Sequence, residues 1–284
     1  MSSLLEHFDR TPVTYLVMLA YITMALVTHP VSPTRDQLIA FGACQGYLVQ
    51  SGEAWRLLTH AFLHGGLLHL AFNSYFLLSL GPMLENTLGS VRFAAVYILG
   101  AVGGGLGGCL WHSATTPLVG GSGALFAMMG AALAWYARGG RHVLDFLGYL
   151  GPRQLLSMVI LNLVLGYLLP IVSNAAHIGG LIAGSALVFC FLERGREPAD
   201  GLSRVIQAGW LALLASLLFY AINPVVRLDY LADRLEEALE EEPDAAPELA
   251  RAILAGTDDG ATADLTRKQV DHVNENLQRA MRGR

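Results

Sequence analysis

Seven separate stretches of this chain are each long and apolar enough to cross a bilayer, and that repetition limits the fold more than any other feature. A spanning helix needs about 20 mostly apolar residues, because in lipid every backbone N–H and C=O must be satisfied within the helix. The stretches run near Pro12 to His29, Leu67 to Leu84, Arg92 to Trp111, Gly121 to Ala137, Leu155 to Pro170, Ala175 to Leu192 and Ile206 to Asn223. Composition agrees: of 284 residues, 54% are hydrophobic and only 14% charged, against roughly 25% charged in an average soluble domain. A water-soluble globule is excluded, and the expected fold is an all-α, polytopic membrane helical bundle. The first span does not read as a signal peptide, since Glu6 and Asp9 flank it beside a single Arg and no small-residue cleavage site follows closely.

Arginine placement orients the bundle. With the N-terminus in the cytoplasm, Arg10, Arg92, Arg138, Arg141, Arg153, Arg194, Arg196 and Arg204 fall inside, whereas the outer loops before the seventh span hold only Arg35 and Arg56. Seven spans then put the C-terminal tail outside. The predicted organisation is a cytoplasmic segment 1–11, a six-helix core 12–192, a cytoplasmic loop 193–205, a seventh transmembrane helix 206–223 and a tail 224–284. That tail carries 14 Asp and Glu against 8 Lys and Arg, and so accounts for the formal net charge of -5. Leu228, Leu231, Leu235 and Leu239 recur in it at helical spacing, as do Val273, Leu277 and Met281, so it reads as short amphipathic helices with solvated acidic faces. No long basic stretch points to a nucleic-acid partner. Three cysteines, Cys44, Cys109 and Cys190, are odd in number, far apart and in or beside apolar segments, so they read as small buried hydrophobes and not as a disulfide framework or zinc module.

Ionisable side chains inside spans are costly and therefore mark candidate functional sites. Three segments carry such residues or an isolated serine: Thr59 to Asn73, with His60, His64, His69 and Asn73; Gly120-Gly121-Ser122-Gly123; and Asn174 to Gly184, with His177. The second, fourth and sixth spans all run inward from outside, which places His69, Ser122 and His177 at one shallow depth. A serine within hydrogen-bond reach of a neutral imidazole can pass its proton on as it attacks a carbonyl, the minimal acyl-transfer unit. Ser122 and His177 can form it. His69 and Asn73, one helical turn apart, can aim two N–H groups at one oxyanion, and the Ser122 backbone N–H, at a helix N-terminus, is a third donor. Gly120, Gly121 and Gly123 allow a tight turn into the helix, while Gly180 and Gly184 form a small-residue face that lets helices approach closely.

Taken together, the His-x-x-x-Asn of His69 to Asn73, the Gly-x-Ser-Gly of Gly120 to Gly123, and His177 followed by Gly180 and Gly184 resemble the motifs of the rhomboid intramembrane serine proteases. The resemblance extends to Trp55-Arg56 and to Gly81, Glu85 and Gly89, covering roughly Pro12 to Leu192. It implies a rhomboid-like six-helix core followed by a seventh helix. Ser122 would be the nucleophile and His177 the general base, with His69, Asn73 and the Ser122 amide as the oxyanion hole. The implied reaction is cofactor-independent cleavage of single-pass transmembrane proteins in or near their membrane segment, behind a gate formed by the second and fifth helices and a cap before His177. One departure is Phe126, where the family commonly has Tyr; its ring can still pack on His177.

Other residues read as structural. His60 and His64 are four apart like metal ligands, but on a regular helix His69 would face about 180° from His60, so no shared metal face is expected unless Gly65-Gly66 bends the chain. Both histidines are expected to make structural hydrogen bonds. Trp55-Arg56 reads as an interfacial anchor with its charged partner, and Glu85, a bilayer away from Ser122, as a helix-end hydrogen-bond partner. The rival functions are a catalytically silent rhomboid-like binder of membrane clients and, more remotely, a His-based metal transporter. The Arg-rich, Lys-poor chain without a transit peptide fits a bacterial plasma membrane.

Overall fold

In a computed structural model of the protein, the described residues are 10–50, 52–112, 116–137, 152–168 and 172–188, with three isolated positions near the C-terminus. They form a polytopic helical bundle of the expected class. The helices are α1 (Pro12–Val27), α2 (Arg35–Ala40), α3 (Gly46–Gln50), α4 (Arg56–Thr59), α5 (Leu67–Leu88), α6 (Ser90–Trp111), α7 (Ser122–Ala137), α8 (Pro152–Leu168) and α9 (Asn174–Ala186). A single 3₁₀ turn, His60–Phe62, follows α4. The first six predicted spans correspond to α1 and α5 to α9. The seventh span, the loop 193–205 and Cys190 lie outside the described residues, as does nearly all of the tail.

Helices α5 and α6, 22 residues each, are long and apolar enough to cross a bilayer unaided. At 1.5 Å per residue each is about 33 Å long. Helix α7 begins only at Ser122, because the chain reaches it through the non-helical turn Gly120–Gly121. Irregular backbone at membrane depth is tolerated only where protein surrounds it, and Gly120 and Gly121 are both buried. Large apolar side chains on the bundle's outside, including Leu68, Phe72, Ile160 and Leu161, are exposed, as a lipid-facing surface requires.

The centre of the bundle is the triangle of α6, α7 and α9, which pack on one another more closely than any other helices. Lipid removes most of the hydrophobic drive for helix association, so close backbone approach must supply the contact. A methyl group added at Gly104 of α6 would lie 3.0 Å from Gly123 Cα of α7 and 3.1 Å from Ala176 O of α9. Gly180 and Gly184 of α9 similarly meet the backbones of Gly123 and Ala127. Side chains at these positions would force the helices apart.

At the end of α5 remote from His69, the buried Glu85 carboxylate ties three helices together. It accepts hydrogen bonds from Val13 N (3.0 Å), Thr14 N (2.8 Å) and Thr14 Oγ1 (2.7 Å) of α1, and from Ser90 Oγ (2.7 Å) of α6. The first amides of a helix have no intrahelical acceptor, and Thr11 at the N-cap makes no side-chain cap. Glu85 caps α1 from a neighbouring helix, where its charge also complements the helix dipole. Deeper in, Tyr21 and Tyr97 share a buried hydroxyl–hydroxyl hydrogen bond of 2.7 Å, which leaves neither phenol unpaired in the core.

Cys44 and Cys109 are buried in one apolar cluster, as small hydrophobes would be, and their Sγ atoms lie 3.2 Å apart across 65 residues of sequence. Sequence distance hid this contact, because the loop after α1 folds back onto the end of α6.

Candidate active site

The loop between α1 and α5 is a small folded unit that supports the site from one side. Thr34 caps α2 through a reciprocal box with Gln37, a Thr-x-x-Gln pattern legible in the sequence. Arg56 is buried and organises the loop: Nε donates to Glu53 (2.8 Å), and one terminal nitrogen donates to Ile39 O (2.7 Å) and Ala43 O (3.0 Å). Its guanidinium also sits over the half-exposed Trp55 ring, 4.5 Å from the centroid.

From this unit the chain turns toward the site. His60 Nε2 lies 3.3 Å from Ala101 O on α6, and His60 O accepts a hydrogen bond from Gly120 N at 2.9 Å. This residue therefore links the loop, α6 and the turn before Ser122. His64 is buried, and its ring packs edge-on against Tyr21 (4.6 Å) and His69 (5.3 Å). The bend that Gly65-Gly66 allows is present, because α5 begins only at Leu67 after Gly66 at φ +136°. That bend brings the His64 and His69 rings together.

The turn Gly120–Gly121 is shaped by its neighbours. Gly120 has φ +112°, and a methyl group there would lie 2.6 Å from Cε1 and Nε2 of His69 and 3.3 Å from Asn73 Nδ2. Only glycine is comfortable in that conformation, and only glycine leaves room for both side chains. Gly121 faces the Tyr21 hydroxyl more closely still, so Tyr21 belongs to the wall of the site although its sequence context gave no sign of it. Ser122 follows as the first residue of α7, half-buried, with an amide that has no intrahelical carbonyl to bond.

His69 and Asn73 flank this turn. Gly65 donates its N–H to His69 Nδ1 at 3.3 Å, which makes Nδ1 the acceptor and leaves the proton of a neutral ring on Nε2. Asn73 Nδ2 is buried and has no partner among the described residues. Two N–H donors thus face the Gly120 backbone, immediately before Ser122.

His177 enters from α9, one turn after the Ser173 N-cap, whose Oγ accepts from Ala176 N at 3.1 Å. His112 Nε2 lies 2.7 Å from the same Ser173 oxygen, so the end of α6 steadies the start of the helix that carries His177. The sequence offered no pattern for that 61-residue pairing. The His177 ring is buried and stacked on Phe126, with centroids 4.1 Å apart and planes 10° from parallel. Phe126 lies one turn beyond Ser122 on α7. No hydrogen bond joins Ser122 to His177 among the described residues, and His177 Nδ1 has no partner there. Catalytic hydrogen bonds commonly tighten only when substrate is bound.

The chain is similar to known proteins over much of this region. A family model described as the Rhomboid domain matches residues 51–194. The rhomboid protease GluP of Bacillus subtilis (strain 168) is 34% identical over 214 residues, which is 74% of this chain and 40% of that relative. RHOMBOID-like protein 5 of Arabidopsis thaliana is 38% identical over 167 residues, 57% of this chain and 52% of the relative. Rhomboid-like protease 1 of Toxoplasma gondii is 30% identical over 174 residues, 58% of this chain and 57% of the relative. The chain thus spans between 40% and 57% of the length of these curated relatives. The matched segment contains Arg56, His69, Asn73, Ser122 and His177, and on these grounds the chain belongs to the rhomboid family of integral membrane proteins.

Proposed function

We propose that this protein is an intramembrane serine endopeptidase that cleaves single-pass transmembrane proteins in or near their membrane segment. The observation that carries the reading is the convergence on one turn: His69 and Asn73 press on Gly120 from α5, Ser122 follows at the start of α7, and Phe126 holds the His177 ring one turn further on. Ser122 Oγ attacks the scissile carbonyl as its proton passes to the His177 ring. The carbonyl oxygen becomes an oxyanion among His69 Nε2–H, the Asn73 amide and the Ser122 backbone N–H. Collapse breaks the C–N bond, and His177 returns the proton to the leaving amine. Water entering from the outer face then hydrolyses the acyl-enzyme with His177 as base.

Among the described residues no carboxylate bonds His177. In a serine triad an acidic residue bonds the far nitrogen of the histidine and sets its tautomer and orientation. Here Phe126 orients the ring by stacking. Replacing Phe126 with Ala is expected to lower kcat about 10-fold or more, by freeing the ring to rotate and by exposing it to water. Phe126→Tyr keeps the stacking face and should retain most of the activity. Steady-state kinetics on a labelled substrate, with stability of each variant checked separately, distinguishes these outcomes.

Asn73→Ala removes one oxyanion donor and should cost about 10²- to 10³-fold in kcat with little change in KM. A rise in KM at constant kcat would instead make Asn73 a substrate-binding residue.

Helix α8 packs on α7 and α9 but makes no substantial contact with α5, and exposed Leu161 and Leu165 on α8 and Phe72 on α5 leave apolar lateral surface on both. A substrate helix enters from the bilayer between α5 and α8. The N-terminus is cytoplasmic, the mouth of the site and the tail face outside, and the host membrane is a bacterial plasma membrane. Cleavage of a panel of labelled single-pass substrates by reconstituted protein, with mapping of the cut sites, tests the assignment. Cuts within or just outside the membrane segment support it, and failure to cut any single-pass substrate in an open bilayer would count against it.

A further inference from the structure

The Cys44–Cys109 contact has consequences for the site. Both residues are buried in a small apolar cluster with Val49, Leu57 and Leu118, with no disulfide between them. Cys44 lies in the loop between α2 and α3, and Cys109 two residues before the end of α6. The 3.2 Å separation of the two sulfurs exceeds a disulfide bond of about 2.05 Å by a distance that small side-chain rotations can close. The backbone of Cys44 is itself paired: it donates to Leu118 O at 3.0 Å and accepts from Leu118 N at 2.8 Å. Leu118 begins the segment that runs through Gly120 to Ser122. Whatever fixes Cys44 therefore also fixes the approach to the nucleophile.

We propose that Cys44 and Cys109 form a disulfide that staples the loop between α1 and α5, and through the Cys44–Leu118 bridge the Gly120–Ser122 turn, to the end of α6. The oxidant is a protein or small-molecule disulfide. One cysteine, as its thiolate, attacks a sulfur of that disulfide and expels a thiolate. The second cysteine thiolate then attacks the mixed disulfide and expels the other. The two cysteine protons end on the two expelled thiols, and two electrons pass to the oxidant. The hydrogen bond to Cys109, together with burial, holds the Cys44 thiol well above its ordinary pKa. A closed, reduced pair is thus a slow nucleophile, and exchange takes place before the loop closes over it. The physiological setting rests on the proposed orientation: with the mouth outside, the pair sits in a compartment where disulfides persist.

Counting thiols tests the staple without reading any cleavage of substrate by this chain, so its failure and the failure of the protease assignment are separable. Protein extracted from membranes without reductant is denatured in N-ethylmaleimide and its intact mass measured. One adduct per chain is expected, from Cys190, rising to three after reduction, and a non-reducing peptide map should contain the Cys44–Cys109 linked pair. The Cys44→Ser/Cys109→Ser double variant should give one adduct under both conditions. Three adducts in the chain extracted without reductant, or a linked peptide containing Cys190, would overturn the proposal. A reductant should also lower the thermal midpoint of the wild type by several degrees and leave the double variant unmoved. A wild-type midpoint insensitive to reductant would remove the structural role.

Discussion

Ser122→Ala is expected to lower kcat/KM for a single-pass substrate by about 10⁴-fold or more, equivalent to about 5.5 kcal/mol of transition-state stabilisation. The substitution removes one oxygen from a half-buried position at the first residue of α7 and leaves its backbone amide in place. Alanine is a better helix former than serine, so the fold should be unchanged. Residual turnover would come from the oxyanion donors and substrate binding alone. Ser79→Ala is a matched control: Ser79 is exposed on α5, with its hydroxyl bonded to Tyr75 O at 2.7 Å, and lies more than one turn from Asn73. Rates of product formation in proteoliposomes read the difference. Equal cleavage by wild type and Ser122→Ala would assign the activity to another group or another protein.

The second large effect falls on stability, at the opposite end of the bundle. Glu85→Ala strips four hydrogen-bond donors of their acceptor at once: the Val13 and Thr14 amides, the Thr14 hydroxyl and the Ser90 hydroxyl. Each buried donor left unpaired costs about 1–3 kcal/mol. Some of them regain partners by relaxation, so a loss on the order of 3 kcal/mol or more is expected. The consequence is local first, because α1 loses its cap and its anchor to α5 and α6 together. Glu85→Gln keeps one carbonyl acceptor and should recover about half of that loss. Unfolding by denaturing detergent, followed by tryptophan fluorescence or gel mobility, ranks wild type above Gln above Ala. Activity per folded molecule should change little in Glu85→Gln, since Glu85 lies at the far end of α5 from His69.

The described helices and the residues of the candidate site were legible because each is carried by a local signal. Apolar runs of spanning length give the elements, glycines at i and i+4 mark the α6–α7–α9 contacts, and His69 with Asn73 shares one face of one helix. The folded loop before α5 was not legible to the same degree. Its helices α2 to α4 have four to six residues each, too short for periodicity to show, and Arg56 builds the loop by bonding carbonyls that any sequence would supply. Pairings such as Tyr21 with Tyr97, His112 with Ser173 and Cys44 with Cys109 join residues 61 to 76 apart. Nothing local encodes them, and they appear only when the helices are placed. His69 shows a different case: its direction relative to His60 follows from spacing only on a regular helix, and the bend at Gly66 before α5 breaks that regularity.

The central claim is that Ser122 is a nucleophile activated by His177. Labelling of purified protein with a fluorophosphonate, followed by peptide mapping, reads that chemistry directly, because the probe phosphonylates a serine only when a base takes its proton. The account predicts a single adduct on Ser122 in the wild type, and loss of that adduct in a His177→Ala variant that remains folded. An adduct on another residue, or undiminished labelling of Ser122 without His177, would contradict it.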